Sequence, residues 1–365
     1  MSVKSIFYIT FFLLSLVLAS EGHCDSHLNR QNIFTLNYPP DKTIMEFELL
    51  SISLKISQDS VDLISANVND VEKIRIFPDS EFECFSIPLE IGTNRINLTA
   101  IKEDRLIGEI IFNVFRRSDL ESKFKEPPAG FKKDYFHMKE NSQCAPCHIM
   151  EPTGADKKSL QMIFSASENK AVVDASSSTC YSCHKRIIAY PFVHGPASVW
   201  SCLSCHDPQA EPKYSVKKPV TKICLSCHLE HMEEWNAKKY FHGPFNTGKC
   251  SICHNPHASE NPSSLFKPIW DLCVSCHIDK GDGRHIVEGY VNTDSHPTHG
   301  KPDPLREGKE LTCASCHNSH ASDSPKLWRL DIETGIALCK ECHRKPIKNI
   351  IIERGSKQSN FTGNR

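Results

Sequence analysis

Apolar and polar residues alternate at every second position through much of residues 32–115, for example in residues 52–56 and 95–99. A period of two is typical of strands that bury one face. Turn signals such as Pro39-Pro40 separate these stretches from one another. The pattern predicts six or seven short strands, and such strands favour a small β-sandwich over residues 25–116.

The alternation ends in a charged stretch around Pro127-Pro128, and this composition predicts a linker over residues 117–133. Residues 134–346 contain few long apolar faces, many prolines and short polar intervals. We therefore expect short helices and little regular secondary structure there. Residues 347–365 form a polar C-terminal tail.

One pentapeptide, Cys-x-x-Cys-His, occurs eight times between residues 144 and 343. Its spacing allows both sulfurs to attach to one porphyrin edge as thioethers and places the histidine beneath the iron. The predicted cofactor-binding cysteines are Cys144, Cys147, Cys180, Cys183, Cys202, Cys205, Cys224, Cys227, Cys250, Cys253, Cys273, Cys276, Cys313, Cys316, Cys339 and Cys342. The histidines predicted to ligate iron from within the motifs are His148, His184, His206, His228, His254, His277, His317 and His343.

The motifs therefore predict eight covalently attached groups of haem c. In a region so poor in apolar faces, these flat apolar rings must supply most of the core of residues 134–346. The predicted fold is thus a small N-terminal β-sandwich followed by a haem-packed domain with short helices and little regular secondary structure.

Paired cysteines also build zinc sites and redox disulfides. Neither requires a histidine directly after the second cysteine, whereas all eight pairs have one, so the recurrence favours haem. Cys24 and Cys84 lie outside the motifs. In an oxidising compartment they could form a disulfide, and the sequence leaves this pairing open.

The motifs fall into four pairs, which begin at Cys144, Cys202, Cys250 and Cys313. A histidine leads into each pair, and in pairs three and four a further histidine trails the first motif, in Cys-His-Asn-Pro-His and Cys-His-Asn-Ser-His. Repeated positions of this kind predict second axial ligands. These leading and trailing histidines are His137, His194, His242, His299, His257 and His320.

Pairs one and two lack the trailing histidine, because Glu151 and Gln209 stand at that position. Two irons must therefore take their sixth ligand from elsewhere or lack one. Three further histidines without a repeat partner leave the assignment open, as does the lower-ranked choice of methionine. These histidines are His231, His285 and His296, and the methionines are Met138, Met150 and Met232.

Residues 137–343 resemble the doubled-CxxCH family of multihaem c-type cytochromes, and the Cys-x-x-Cys-His-x-Pro-His signature of pair three carries the resemblance most specifically. The resemblance implies an electron carrier in anaerobic respiration, between redox partners in the periplasm or at the cell surface. Residues 91–100 also resemble, over one hairpin, the turn and strand of bacterial immunoglobulin-like domains.

The sequence is also consistent with two other functions. The first is a haem-dependent reductase of nitrite, hydroxylamine or a sulfur oxyanion, in which one iron keeps an open position near residues 144–148 or 202–206. The Cys-x-x-Cys-Lys motif of several such enzymes is missing from this sequence. The second is a structural subunit of a cytochrome complex, with the β-domain as the docking element or simply a spacer.

Residues 1–20 have the basic, apolar and small-residue layout of a secretory signal peptide. This layout predicts an exported, periplasmic or cell-surface protein, with no membrane span beyond the signal. The formal net charge of −1 gives no indication of a nucleic-acid partner. The expected partners are other cytochromes or redox proteins, among them a terminal reductase or an outer-membrane cytochrome complex.

Overall fold

The computed structural model describes residues 33–57, 59–139, 144–145, 148–153, 156, 177–281, 296–330, 332 and 334–343. The predicted signal peptide, the polar tail, Cys24, Cys147 and His285 lie outside these residues. Among the described residues, no helix combines the length and apolar character that crossing a bilayer requires.

The N-terminal region is built from two sheets. Its strands are β1 (Phe34–Tyr38), β2 (Thr43–Met45), β3 (Leu49–Ile56), β4 (Leu63–Val68), β5 (Val71–Ile76), β6 (Phe82–Pro88), β7 (Gly92–Lys102), β8 (Arg105–Arg116) and β9 (Lys132–Lys133). One sheet has the order β1-β3-β6, and the other has the order β5-β4-β7-β8-β2-β9. All pairings are antiparallel except those of β2, which runs parallel to both β8 and β9.

The alternating sequence pattern corresponds directly to burial in these strands. In β7 the side chains of Ile96, Leu98 and Ala100 are fully buried, while the residues between them face outward or are half-buried. They pack with Leu50, Ile52 and other strand residues into one apolar core. The β-rich N-terminal region predicted from the two-residue period is confirmed, with eight strands in residues 33–116 instead of six or seven.

The stretch predicted as a linker packs against both regions of the chain. Lys132 and Lys133 add strand β9 to the larger sheet, and Leu120 is buried. Glu121 forms an ion pair with Lys267 of the motif-bearing region. The connection is therefore held by strand pairing, apolar burial and charge.

The motif-bearing region contains only short elements, as predicted. Its helices are α1 (Tyr181–His184), α2 (Gly195–Ser198), α3 (Thr221–Cys224), α4 (Leu229–Asn236), α5 (Gly243–Asn246), α6 (Ile269–Val274), α7 (Cys313–Cys316) and α8 (Gly335–Cys342). Single 3₁₀ turns cover Ser122–Phe124, Phe136–Met138, Lys185–Ile188, Cys202–Ser204, Cys250–Ile252, Pro262–Ser264 and Ile278–Lys280. Two small ladders join distant segments: β10 (Phe192–Val193) pairs with β12 (Ala258–Ser259), and β11 (Tyr240–Phe241) pairs with β13 (Ala321–Ser322).

This region lacks a continuous side-chain core within its described residues. The apolar cluster of the molecule lies entirely in the β-sandwich, and the buried apolar residues near the motifs are scattered ones such as Trp200 and Leu272. Large apolar side chains stay exposed directly after motif histidines, including Ile149, Leu229 and Ile278. A folded domain rarely leaves so many large apolar side chains exposed to water. These side chains lie beside the motif histidines, where they would line a bound porphyrin.

Candidate haem centres

All eight motifs adopt the same local turn. The amide of each motif histidine donates a hydrogen bond to the carbonyl of the first cysteine of that motif, at 2.9–3.2 Å. This bond folds the pentapeptide back on itself, so that the first cysteine and the histidine belong to one tight turn. Five consecutive residues could thereby supply both the cysteines that attach a haem and a histidine ligand for its iron.

Six motif histidines face a second imidazole from another segment of the chain. The ring centroids are 6.1 Å apart for His137–His184, 6.2 Å for His194–His228, 6.0 Å for His206–His257, 6.1 Å for His242–His277, 6.0 Å for His254–His320 and 6.3 Å for His296–His343. Metal–imidazole bonds of about 2 Å on opposite sides of one iron separate two ring centroids by about 6 Å. The spacing of all six pairs therefore fits a metal ion held between two imidazoles.

Backbone carbonyls orient several of these rings through Nδ1. His206 Nδ1 lies 2.7 Å from the carbonyl of Tyr214, and His254 Nδ1 lies 2.9 Å from that of Ser263. The leading ligand His194 makes the same contact at 3.0 Å. A proton on Nδ1 that is directed to a carbonyl leaves the Nε2 lone pair for the metal.

Burial favours the neutral form of His137, His257 and His320, which is the form that ligates a metal. Desolvation, followed by the nearby charges of His184 and Lys213, lowers the pKa of His137 to about 4. Desolvation and neighbouring histidines likewise lower the pKa of His257 and of His320 to about 4.

Leading and trailing histidines serve different motifs. Each of the leading histidines His137, His194 and His242 faces the second motif of its own pair. The trailing histidines His257 and His320 instead face the first motif of the preceding pair. Successive pairs of motifs are therefore interlocked along the chain.

The small ladders hold this interlocking in place. The amide of His194 donates to the carbonyl of His257 at 2.9 Å, where β10 meets β12. The amide of His242 donates to the carbonyl of His320 at 2.9 Å, where β11 meets β13. A leading histidine and the trailing histidine of the next pair are thus fixed side by side on two neighbouring strands.

The other predicted ligands are placed differently. His231 lies 6.2 Å from His228, but it follows His228 by one turn in helix α4 and so lies on the same side of the chain. His299 packs against Trp270 at 4.3 Å. His296, which no repeat position singled out, faces His343. The only sequence signal for His296 is its place just before the fourth leading histidine.

The attachment cysteines of successive motifs are also neighbours. Hydrogen bonds between thiols join the first cysteines of adjacent motifs from different pairs, namely Cys180–Cys202, Cys224–Cys250 and Cys273–Cys313. Within pairs two, three and four the second cysteines lie near each other, since burial and then the neighbouring thiol raise the pKa values of Cys205 (with Cys227), Cys253 (with Cys276) and Cys316 (with Cys342). The neighbouring cysteines alternate between first and second ones from the second motif to the eighth.

The β-sandwich borders the first motifs of this series. Burial, followed by the nearby thiols of Cys84 and Cys183, raises the pKa of Cys144. Arg186, just after the second motif, donates from Nη1 to the carbonyl of Ser86 in β6 at 2.8 Å. Cys84 therefore lies in the strand that meets the first two motifs, a placement that no sequence pattern indicates.

The alternative of a zinc site finds no support in the described part of the chain. Within it, no three His, Cys, Asp or Glu side chains group so as to hold a metal ion by themselves. A structural zinc site needs four protein ligands. The two-imidazole arrangement instead suits an iron whose other four ligands come from a porphyrin, so the residues present fit haem c.

The model of the doubled CXXCH motif family matches residues 194–233, 242–282 and 303–348, which are pairs two, three and four. A comparison with curated proteins gives no match. Among solved structures, a fibronectin(III)-like module of CbhA from Clostridium thermocellum is 13% identical with a TM-score of 0.20, and covers 23% of this chain and 94% of its own. An FMN-binding β-glucuronidase from Facaelibacterium prausnitzii L2-6 is 11% identical with a TM-score of 0.19, over 26% of this chain and 12% of its own.

Structural likenesses at such low TM-scores carry no inference about the β-sandwich. The family match rests on sequence, and its three segments coincide with the interlocked motif pairs seen in the structure. Residues 194–233, 242–282 and 303–348 carry the doubled CXXCH motif, which indicates a multihaem c-type cytochrome.

Proposed function

We propose that this chain carries electrons through a series of eight covalently bound haems, one at each motif, between redox partners outside the cytoplasm. The observation that supports this proposal is the proximity of attachment cysteines from one motif to the next along the series. Cysteines that lie near each other in this way would hold the edges of neighbouring cofactors close together. A carrier needs this proximity at every step.

The axial histidines restrict what the bound cofactor does. Haem iron supplies reversible one-electron chemistry, and its axial ligands tune the potential. Paired imidazoles such as those of His254 and His320 would hold the iron from both sides, so that small molecules would find no open site there. The carbonyl of Ser263 orients the His254 ring through Nδ1, and a fixed ligand of this kind favours electron transfer over substrate binding.

Reductive titration of the haem-loaded, full-length protein tests the proposal. We expect eight electrons per molecule, one for each motif, and rapid exchange among the haems when less than the full amount of reductant is added. A chain with fewer attached haems, or with haems that stay out of equilibrium with one another, would contradict a continuous series. Intact-mass measurement gives the haem count independently.

We further propose that the protein works in anaerobic respiration, in the periplasm or at the cell surface. Support comes from the signal-like layout of residues 1–20 and from the export that attachment of haem c generally entails. Its partners are then other cytochromes, a terminal reductase or an outer-membrane cytochrome complex. Fractionation of the native host tests the location, and recovery in the cytoplasmic fraction would contradict it.

A further inference from the structure

One loop of the interlocked series carries glutamine where its counterparts carry a ligand. In pairs three and four, the amides of His257 and His320 each donate to the side-chain oxygen of an asparagine two residues earlier, at 3.0 Å. In pair two the amide of Gln209 donates to Asp207 Oδ1 at 2.9 Å. The same turn is therefore formed in all three pairs, and Gln209 takes the place of the trailing histidine.

The loop of pair two also closes like the other two. In pairs three and four, Nδ1 of His254 and of His317 contacts a carbonyl nine residues further along, at 2.9 and 2.8 Å. In pair two, Nδ1 of His206 contacts the carbonyl of Tyr214, eight residues along, at 2.7 Å. The loop is one residue shorter but follows the same course around its motif histidine.

This loop lies against pair one, as the interlocking requires. Lys213 Nζ forms an ion pair of 2.5 Å with Glu151, three residues after His148, and its amide lies 3.2 Å from Met138 Sδ. The ring of Tyr214 packs edge-on against His137, the leading histidine of pair one, at 4.9 Å. The trailing loop of pair two thus meets the residues that flank the first motif of pair one, just as His257 and His320 each face the first motif histidine of the pair that precedes their own.

We propose that the first motif holds its haem with the iron's sixth position open to one small diatomic ligand, because Gln209 replaces the histidine that closes the corresponding position elsewhere. A neutral amide is a poor iron ligand, whereas the imidazoles of His257 and His320 close the first motifs of pairs two and three. His148 forms the same turn with Cys144 as the other seven motif histidines do. The iron at the first motif therefore has its proximal ligand and an exchangeable opposite position.

Carbon monoxide is the probe, used on the dithionite-reduced, haem-loaded, full-length protein. We expect uptake that includes about one equivalent at the first motif, with a high-spin signal in the electron paramagnetic resonance of the oxidised protein before any ligand is added. Gln209→His should lower the uptake by about one equivalent and weaken the high-spin signal. Gln209→Ala should keep both, which controls for disturbance of the loop.

His257→Ala serves as the positive control, since it should add a second equivalent of carbon monoxide by exposing the iron at His206. Wild-type protein that takes up no carbon monoxide would overturn the proposal. Uptake that Gln209→His leaves unchanged would also overturn it, because the open iron would then lie elsewhere. If Gln209→His fails to accumulate, Gln209→Met tests the same position with a flexible thioether that also ligates iron. These outcomes are separate from the proposed electron transfer, which the reductive titration tests.

Discussion

The imidazole of His320 lies 6.0 Å from that of His254, with the two ring planes tilted by only 13°. The two residues belong to different pairs of motifs, and the ladder between β11 and β13 joins the segment after His320 to the segment before His242, in the pair that contains His254. A motif pair is therefore not a self-contained unit, because an imidazole that faces its first motif histidine comes from the pair that follows. We expect the series to fold as a connected whole.

Replacing His320 by alanine should convert a single iron from low spin to high spin. The iron affected is the one at His254, although the substitution lies next to the motif of His317. Electron paramagnetic resonance of the oxidised protein measures the change. His231→Ala is the matched control, since the half-exposed His231 ring stacks on Trp235 in the same cluster but faces no iron from the distal side. A high-spin signal that grows beyond the wild-type level in the control as well would contradict the assignment of ligands.

Gly248 lies where pair three packs closely against pair two. It has a φ of +71°, and a Cβ placed there would lie 2.6 Å from the Cβ of Pro219. Gly248→Ala should destabilise the haem-bearing region by roughly 1–3 kcal/mol, because it adds a steric clash to an unfavourable backbone conformation. A lower urea midpoint, read from the haem absorbance, measures the loss.

The control for that prediction is Gly243→Ala in helix α5. An added Cβ at Gly243 has no neighbouring atom within 4 Å, and alanine favours helix. We expect the midpoint to stay unchanged or to rise slightly. Equal destabilisation of both variants would show that the contact with Pro219 is not responsible.

Much of this architecture could be predicted from the sequence, and the reason differs between its two halves. The alternation in residues 95–99 is local, so the burial of Ile96 and Leu98 follows from it directly. The motif turn is local as well, because Cys-x-x-Cys-His contains both of its bonded partners. The pairing of histidines is not local: His257 faces His206 because two short strands from distant segments pair, and no pattern in the sequence encodes which segments pair.

The side chain of Asn94 stabilises the turn at the start of β7 through hydrogen bonds. Its fully buried side chain accepts a hydrogen bond from the amide of Glu90 at 2.8 Å and donates to the carbonyls of Glu90 and Gly92 at 2.8 and 2.9 Å. Asn94→Ala leaves these backbone groups without partners, at a cost of roughly 2–4 kcal/mol. Faster hydrogen exchange in peptides from residues 90–102 of the full-length protein should reveal the loss.

Asn113→Ala controls for the loss of an amide side chain from the same sheet. The side chain of Asn113 in β8 is only half-buried and makes a single long contact of 3.5 Å, to Asp41. We expect exchange in residues 90–102 to stay as in the wild type. Exchange that rises equally in both variants would assign the effect to the sheet in general and not to the turn at Asn94.

The buried carboxylate of Asp303 should make the free energy of unfolding of pair four depend on pH in the acid range. Burial alone would raise its pKa, but Ser315 Oγ at 2.6 Å, the Leu305 amide at 2.9 Å and the Arg306 guanidinium at 2.7 Å outweigh burial and lower it. A pKa that is lower in the folded than in the unfolded protein stabilises the fold above the ordinary value of about 4. This contribution disappears as the pH falls below that value and through the folded pKa.

Asp303→Asn removes the charge at every pH, and should cost roughly 1–3 kcal/mol at neutral pH because Arg306 and Ser315 lose their charged partner. The urea midpoints of variant and wild type should therefore converge as the pH is lowered below about 4. Asp279→Asn is the matched control, since Asp279 is 72% exposed and pairs only with Lys280 beside it. The urea midpoint of Asp279→Asn should equal that of the wild type at every pH. A gap between Asp303→Asn and wild type that stays constant down to strong acid would show that the carboxylate's charge contributes nothing, and that its shape alone supports helix α7.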